Sequence, residues 1–208
     1  MAALTSQREV VVTWLRVDGS PDAATRLLAH EVGRFTGRAP DETRIVRSCP
    51  RCGSADHGTP AVVTSDGLDA PWVSLSRAGG IVVVAVSGAG PVGVDVEEQR
   101  AARFAGFANV ALHPAEHAPT VEARATLWAR KESLLKATGD ALHLDPALIR
   151  VSEADQPPRL VEWPDDRAQP GVQMSDLQLE GYAACVTVVS EALPRLTVRQ
   201  ADPEALRR

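Results

Sequence analysis

The sequence is poor in cysteine, carries no surplus of positive charge and has no long uninterrupted apolar run. Three cysteines, Cys49, Cys52 and Cys185, are too few and odd in number for a disulfide framework. The first residues lack a basic segment followed by an apolar one, so the cytoplasm is the expected compartment. The 22 basic and 27 acidic side chains are mixed along the chain and leave a formal net charge of −5, which provides no global field for nucleic acid. An anionic ligand must therefore be captured locally. The longest apolar stretch, Gly79 to Val96, is broken by Gly88-Ala89-Gly90-Pro91, whereas a membrane helix needs roughly 20 unbroken apolar residues. It reads as two buried strands joined by a turn, and no membrane contact is expected.

What is present is 208 residues, 44% hydrophobic and 24% charged, enough for one large domain or two small halves sharing a core. Val10 to Val17 reads as a strand. Pro21 to Phe35 has helical apolar spacing, with Ser20 as N-cap and Gly37 as stop. Arg47 to Pro60 is turn-rich, and Trp72 to Ser76 and Ile81 to Ser87 read as strands. The second half runs from the strand Val92 to Glu97 through helical segments at Ala101 to Ala108 and Pro114 to Ala137. Strands are then expected at Leu148 to Ser152, Arg159 to Trp163 and Gln178 to Val189. Gln156-Pro157-Pro158 and Asp165 to Gly171 read as loops, and Asp202 to Arg208 as a loose tail. The order suggests an α+β fold of two similar halves, 1–91 and 92–208, each a small antiparallel sheet packed with helices.

Two segments carry the chemistry. In Gly93-Val94-Asp95-Val96-Glu97, a spacing of two puts both carboxylates on one face of a strand, where they can share a hard divalent cation. In Trp128-Ala129-Arg130-Lys131-Glu132-Ser133-Leu134-Leu135-Lys136, a helix brings a third acid with cations beside it. Trp128, Lys131, Glu132 and Leu135 are expected on one face, with Lys136 one turn beyond Glu132. If strand meets helix, Asp95, Glu97 and Glu132 form an all-oxygen magnesium site, with Lys131 and Lys136 on phosphate oxygens. That is phosphoryl-group chemistry, in which positioning and charge neutralisation dominate. Trp128 reads as a packing residue.

Two other motifs compete. His113-Pro114-Ala115-Glu116-His117 has the H-x-x-E-H spacing of a zinc hydrolase, although Pro114 suits the first position of a helix and leaves His113 as a cap. Cys49-Pro50-Arg51-Cys52-Gly53 with His57 is half a zinc knuckle. With Cys185 far away in sequence, it reads as a turn carrying two reduced thiols.

At the acid-bearing segments the chain resembles the 4′-phosphopantetheinyl transferases of the larger, monomeric (surfactin-synthetase-activating) type. The family pattern of Gly-hydrophobic-Asp-hydrophobic-Glu followed by Trp-x-x-Lys-Glu-x-x-x-Lys stands here at 93–97 and 128–136 without a gap, and Gly139 and Leu142 also fit. Upstream, His57-Gly58-Thr59-Pro60 stands where the family has Gly-Lys-Pro, and Val73 to Gly79 resembles its Asn-x-Ser-His-Ser-Gly segment. Thr59 replaces a lysine, and Arg77 replaces a histidine while fixing a positive charge.

The resemblance implies a pseudo-twofold fold with the active site, and coenzyme A, in the cleft between halves. It implies magnesium on Asp95, Glu97 and Glu132, phosphates on Lys131 and Lys136, and the 3′-phosphate region on Arg77 and Arg26, with Ser76 and Thr59 as neutral donors. The acceptor is a serine of an apo acyl or peptidyl carrier protein in polyketide, fatty-acid or nonribosomal-peptide synthesis. Its proton would go to Glu132 or to a water on the metal, Glu116 would assist, and 3′,5′-adenosine bisphosphate would leave. A monomer is expected. The alternatives are a non-catalytic coenzyme A- or carrier-binding homologue, and a zinc hydrolase using His113, Glu116 and His117.

Overall fold

The computed structural model describes residues 8–206 apart from 21, 40, 50, 51, 56, 57, 66–69, 141, 142, 165–167 and 170. The expected roles of Pro21, His57 and Leu142, and the interior of the Cys49–Cys52 turn, lie outside the described residues. In chain order the elements are β1 (Glu9–Arg16), α1 (Ala23–Thr36), β2 (Thr43–Ser48), β3 (Thr59–Thr64), β4 (Trp72–Ala78), β5 (Ile81–Ser87) and β6 (Val92–Glu98). A 3-10 turn at Gln99–Arg103 leads to α2 (Phe107–Ala111) and α3 (Val121–Thr138). Then follow β7 (Arg150–Val151), β8 (Leu160–Glu162), β9 (Val172–Asp176), β10 (Tyr182–Val189) and β11 (Arg195–Gln200). The class is α+β, with several small, mainly antiparallel sheets and few helices. Among the described residues no helix is long and apolar enough to cross a membrane.

Period-two alternation builds the layers. The first sheet has the order β11-β1-β5-β4 and the second β6-β10-β9. Val10, Val12, Ile81, Val83 and Ala85 of the first sheet meet Val92, Val94, Val96, Ala184, Val186 and Val188 of the second in one core. The opposite face of the first sheet, with Leu15, Val82, Val84 and Val86, packs on Leu27, Leu28 and Val32 of α1. The opposite face of β10, with Ala183 and Cys185, packs under α3 through Ala125 and Ala129. Every residue of β5 is buried, and each such valine contributes about 1.5–3 kcal/mol. The connectivity repeats: β1, α1, the β2–β3 hairpin and the β4–β5 hairpin correspond in order to β6, α3, β7–β8 and β9–β10. β11 departs from this scheme by returning to the first sheet, parallel to β1.

Several expected boundaries move, for identifiable reasons. The segment read as a helix from Pro114 begins at Val121, because Pro119 has no N–H for an interior helical bond. Thr120 caps it, its Oγ1 accepting from the Ala123 N–H at 3.1 Å. The segment at 101–108 is instead a 3-10 turn followed by α2. Helix α1 starts at Ala23 with Asp22 rather than Ser20 at its cap, and ends at Gly37, whose φ of 68° and N–H bond to Gly33 fit a left-handed cap. The expected strand Gln178 to Val189 is present as β10 from Tyr182; its first residues form the turn near Gly181, at φ 82°, that joins it to β9, a strand that was not expected. The expected strands at 148–152 and 159–163 shrink to the short β7–β8 pair. Strands β2, β3 and β11 have little apolar alternation and half-exposed faces, so their periodic signal is weak.

Candidate active site

The site is built where α3 lies across β6. In β6, Val92, Val94 and Val96 face the central core, which turns Gly93, Asp95 and Glu97 towards α3. Gly93 is what allows the helix to approach. A Cβ there would stand 1.9 Å from the Ser133 carbonyl oxygen, 2.5 Å from the Ala137 nitrogen and 2.8 Å from the Lys136 Cβ. Small polar side chains complete the crossing, with the Ser133 and Thr187 hydroxyls 2.7 Å apart beside it.

This crossing pairs helix and strand like a zipper. At one end the Trp128 Nε1 donates to Glu97 Oε1 at 3.2 Å. At the other the Lys136 ammonium donates to Asp95 Oδ1 at 2.6 Å, with the Val94 carbonyl and Ser76 hydroxyl each at 3.3 Å. Glu132 is one turn from each. Strand β4 closes the margin: Ser74 Oγ accepts the Val94 N–H at 3.0 Å, and Ser76 Oγ donates to Asp95 Oδ1 at 2.8 Å.

The electrostatics are unbalanced. Burial raises the Asp95 carboxyl above its usual range against the opposing pull of Lys136 and Ser76. Burial, then the Asp95 charge, raises Glu97 and Glu132 too. Asp95 Oδ2 is buried without a hydrogen-bond partner. Three mutually repelling acids and an unpartnered buried oxygen fit a hard cation. Among the described residues no three His, Cys, Asp or Glu side chains converge into a ready-made metal cage. Magnesium does not require one, since it is usually bound by one or two carboxylates with substrate phosphates and water.

Two expectations are overturned. Lys131 was expected on phosphate beside Glu132, but it is fully buried and points to the other side of α3. Its three donors go to Glu116 Oε2 at 2.6 Å and the Ala111 and Pro146 carbonyls at 2.7 and 3.0 Å. Burial lowers the Lys131 pKa, against the pull of Glu116. Glu116, expected to assist catalysis, completes the clamp by accepting the His113 and Val151 N–H groups at 2.8 and 2.9 Å. Both therefore pin the 111–116 and 146–151 segments to α3. The reason lies in the helical step: neighbours 131 and 132 point about 100° apart, while 128, 132 and 136 share a face.

The same bonds remove the zinc-hydrolase reading, because both Glu116 oxygens are engaged and His113 Nδ1 accepts the Ala115 N–H at 3.2 Å. The turn at Cys49 and Cys52 is closed by the Gly53 N–H on the Cys49 carbonyl at 2.8 Å, with Cys49 buried and Cys52 exposed.

The remaining expected residues lie N-terminal to β6. Ser76 reaches Asp95 and Lys136. Arg77 alternates to the opposite face, opposite Val82, and so lies on the α1 side of the sheet. Arg26 is exposed on α1, its guanidinium 3.4 Å from Ser20 Oγ. Thr59 is exposed at the start of β3. Ser74, whose hydroxyl satisfies the Val94 N–H, was not among the expected site residues, and Trp128 was expected as a packing residue. The 128/132/136 spacing carried the signal for Trp128.

A family model described as the 4′-phosphopantetheinyl transferase superfamily matches residues 91–187, just under half of the chain, a span that includes β6, α3 and most of β10. No curated protein matches the chain.

Proposed function

We propose that this protein moves the 4′-phosphopantetheine group of coenzyme A onto a serine of an apo acyl or peptidyl carrier protein, in a magnesium-dependent reaction at the β6–α3 junction. The observation that carries the proposal is that the span similar to the transferase superfamily leaves one Asp95 oxygen buried and unpartnered, with Glu97 and Glu132 near enough that burial and then the Asp95 charge raise both carboxyls. Asp95, Glu97 and Glu132 would hold the cation, which when bound would neutralise charge on a diphosphate. Lys136 is the side-chain cation of the junction, and Ser76, bound to both Asp95 and Lys136, fixes its direction. Transfer forms a bond from the carrier serine Oγ to the β-phosphorus of coenzyme A. It breaks the bond from that phosphorus to the bridging oxygen, which leaves on 3′,5′-adenosine bisphosphate. The serine proton passes to Glu132 or to water.

Repetition of connectivity on either side of residue 91 supports a pseudo-twofold arrangement of halves 1–91 and 92–208, of the larger monomeric type, with coenzyme A between them and β11 crossing back. Arg26 and Arg77 are the groups we assign to the 3′-phosphate region, with Ser76 and Thr59 as neutral donors. The protein acts as a cytoplasmic monomer in this reading. Incubation with coenzyme A, magnesium and a panel of apo carrier domains, followed by intact-protein mass measurement, tests it. A pantetheine adduct with wild-type protein and none with Asp95→Ala is expected. Absence of an adduct on every carrier would refute it.

A further inference from the structure

We infer that Trp128 is a positioning residue for the cation site: its indole N–H pins one oxygen of Glu97 and thereby aims the other towards the ion shared with Asp95 and Glu132. The inference rests on the cation-site reading above and adds to it a task for the indole beyond packing.

The indole Nε1 donates to Glu97 Oε1 at 3.2 Å. An indole is a donor only, so it has no lone pair with which to compete for a cation, and its natural partner is the ionised carboxylate. Glu97 has the greater need of a fixed partner. It sits near the end of β6, where burial falls from complete to partial, and the Asp95 charge pushes against it. A glutamate has three side-chain torsions and would swing away from that charge; one anchored oxygen removes the freedom.

The anchor is itself braced. The Trp128 ring meets Phe107 edge to face, with centroids 6.2 Å apart at 65°, and Phe107 meets Phe104 at 5.4 Å and 66°. Phe107 is buried at the foot of α2. A cleft of about 220 Å³ lined by Glu97, Phe104, Phe107 and Trp128 runs along this contact, so the bond lies at a cleft wall and not within the closed core. A tryptophan used for packing alone would not need its N–H aimed at an acid there.

The test uses the whole protein and Mn²⁺ as the probe, with binding followed by electron paramagnetic resonance. Trp128→Phe keeps the ring contacts and deletes the N–H. It should weaken Mn²⁺ binding about tenfold or more, as loss of an outer-shell partner does. In turnover it should raise the metal concentration needed for half-maximal rate more than it lowers the rate at saturating metal. If wild type binds Mn²⁺ and Trp128→Phe binds it equally well, this inference falls and the cation-site reading stands. If wild type binds none, both fall. Should the variant fail to fold, the wild-type indole resonance that shows proximity to Phe107 supplies the answer in a Mg²⁺ titration. A shift saturating with Mg²⁺ is expected, and a resonance unmoved at saturation overturns the inference.

Discussion

Replacing Gly93 with alanine adds one methyl group at the point where α3 rests on β6. The new Cβ would lie 1.9 Å from the Ser133 carbonyl oxygen and 2.5 Å from the Ala137 nitrogen, both backbone atoms that cannot rotate aside. Reaching ordinary contact requires the helix to lift by about 1.5 Å. Glu132 and Lys136 ride on that helix, so the 2.6 Å contact from Lys136 to Asp95 would open towards 4 Å, beyond hydrogen-bond range. Overpacking of this kind costs about 1–3 kcal/mol, which for a chain of this size lowers the melting temperature by roughly 2–12 °C. Displacement by more than 1 Å costs on the order of 100-fold in rate. Calorimetry together with the carrier-transfer assay reads both effects. A Gly93→Ala protein that melts and turns over like wild type would refute the claim that helix approach at this glycine builds the site.

Three further outcomes follow from the same interactions. Lys131→Met leaves Glu116 buried without its cation and should destabilise the fold by about 3–5 kcal/mol in urea titration. Lys131→Met with Glu116→Gln should recover much of this, whereas a phosphate-binding lysine would show lost turnover and unchanged stability. Asp95→Asn should abolish transfer while leaving the melting temperature within a few degrees of wild type; retained turnover would remove Asp95 from the cation site. Glu31 is buried against Thr13, His30 and Arg199, and although burial raises its pKa, the Arg199 and Thr13 bonds outweigh that and leave it lowered. Its stabilisation is therefore present above the unfolded value near 4.3 and lost as pH falls through the lower folded pKa. In Arg199→Gln burial dominates, so the stability deficit of the variant should grow as pH rises from about 4 to 7; a pH-independent deficit would contradict the pairing.

Alternation in strands made the placement of Asp95 and Glu97 legible from sequence. Val94 and Val96 had to face a core, and Asp95 and Glu97 therefore had to share the other face, which is where α3 lies. The helix was harder to read. Trp128, Lys131, Glu132 and Leu135 satisfy a three-and-four spacing, but Trp128 and, beyond them, Lys136 bond to β6 while Lys131 turns away, held by Ala111, Pro146 and Glu116, which come from elsewhere in the chain. Arg130 illustrates the same limit. Its buried guanidinium grips Asp176 and the carbonyls of Ser152, Glu153 and Gln156, partners 22 to 46 residues away. In the fold, Pro119 could have been read as the barrier to a helix from 114, because a missing N–H is a local property. The return of β11 to the first sheet depends instead on long-range pairing with β1.

Co-crystallisation with coenzyme A and Mn²⁺, with diffraction recorded at the manganese absorption edge, reaches the central claim directly. An anomalous peak bound to Asp95 Oδ2 and to Glu97 or Glu132, and touching the pyrophosphate, is the result predicted. Coenzyme A bound elsewhere on the protein, with no peak at the β6–α3 crossing, would contradict the account.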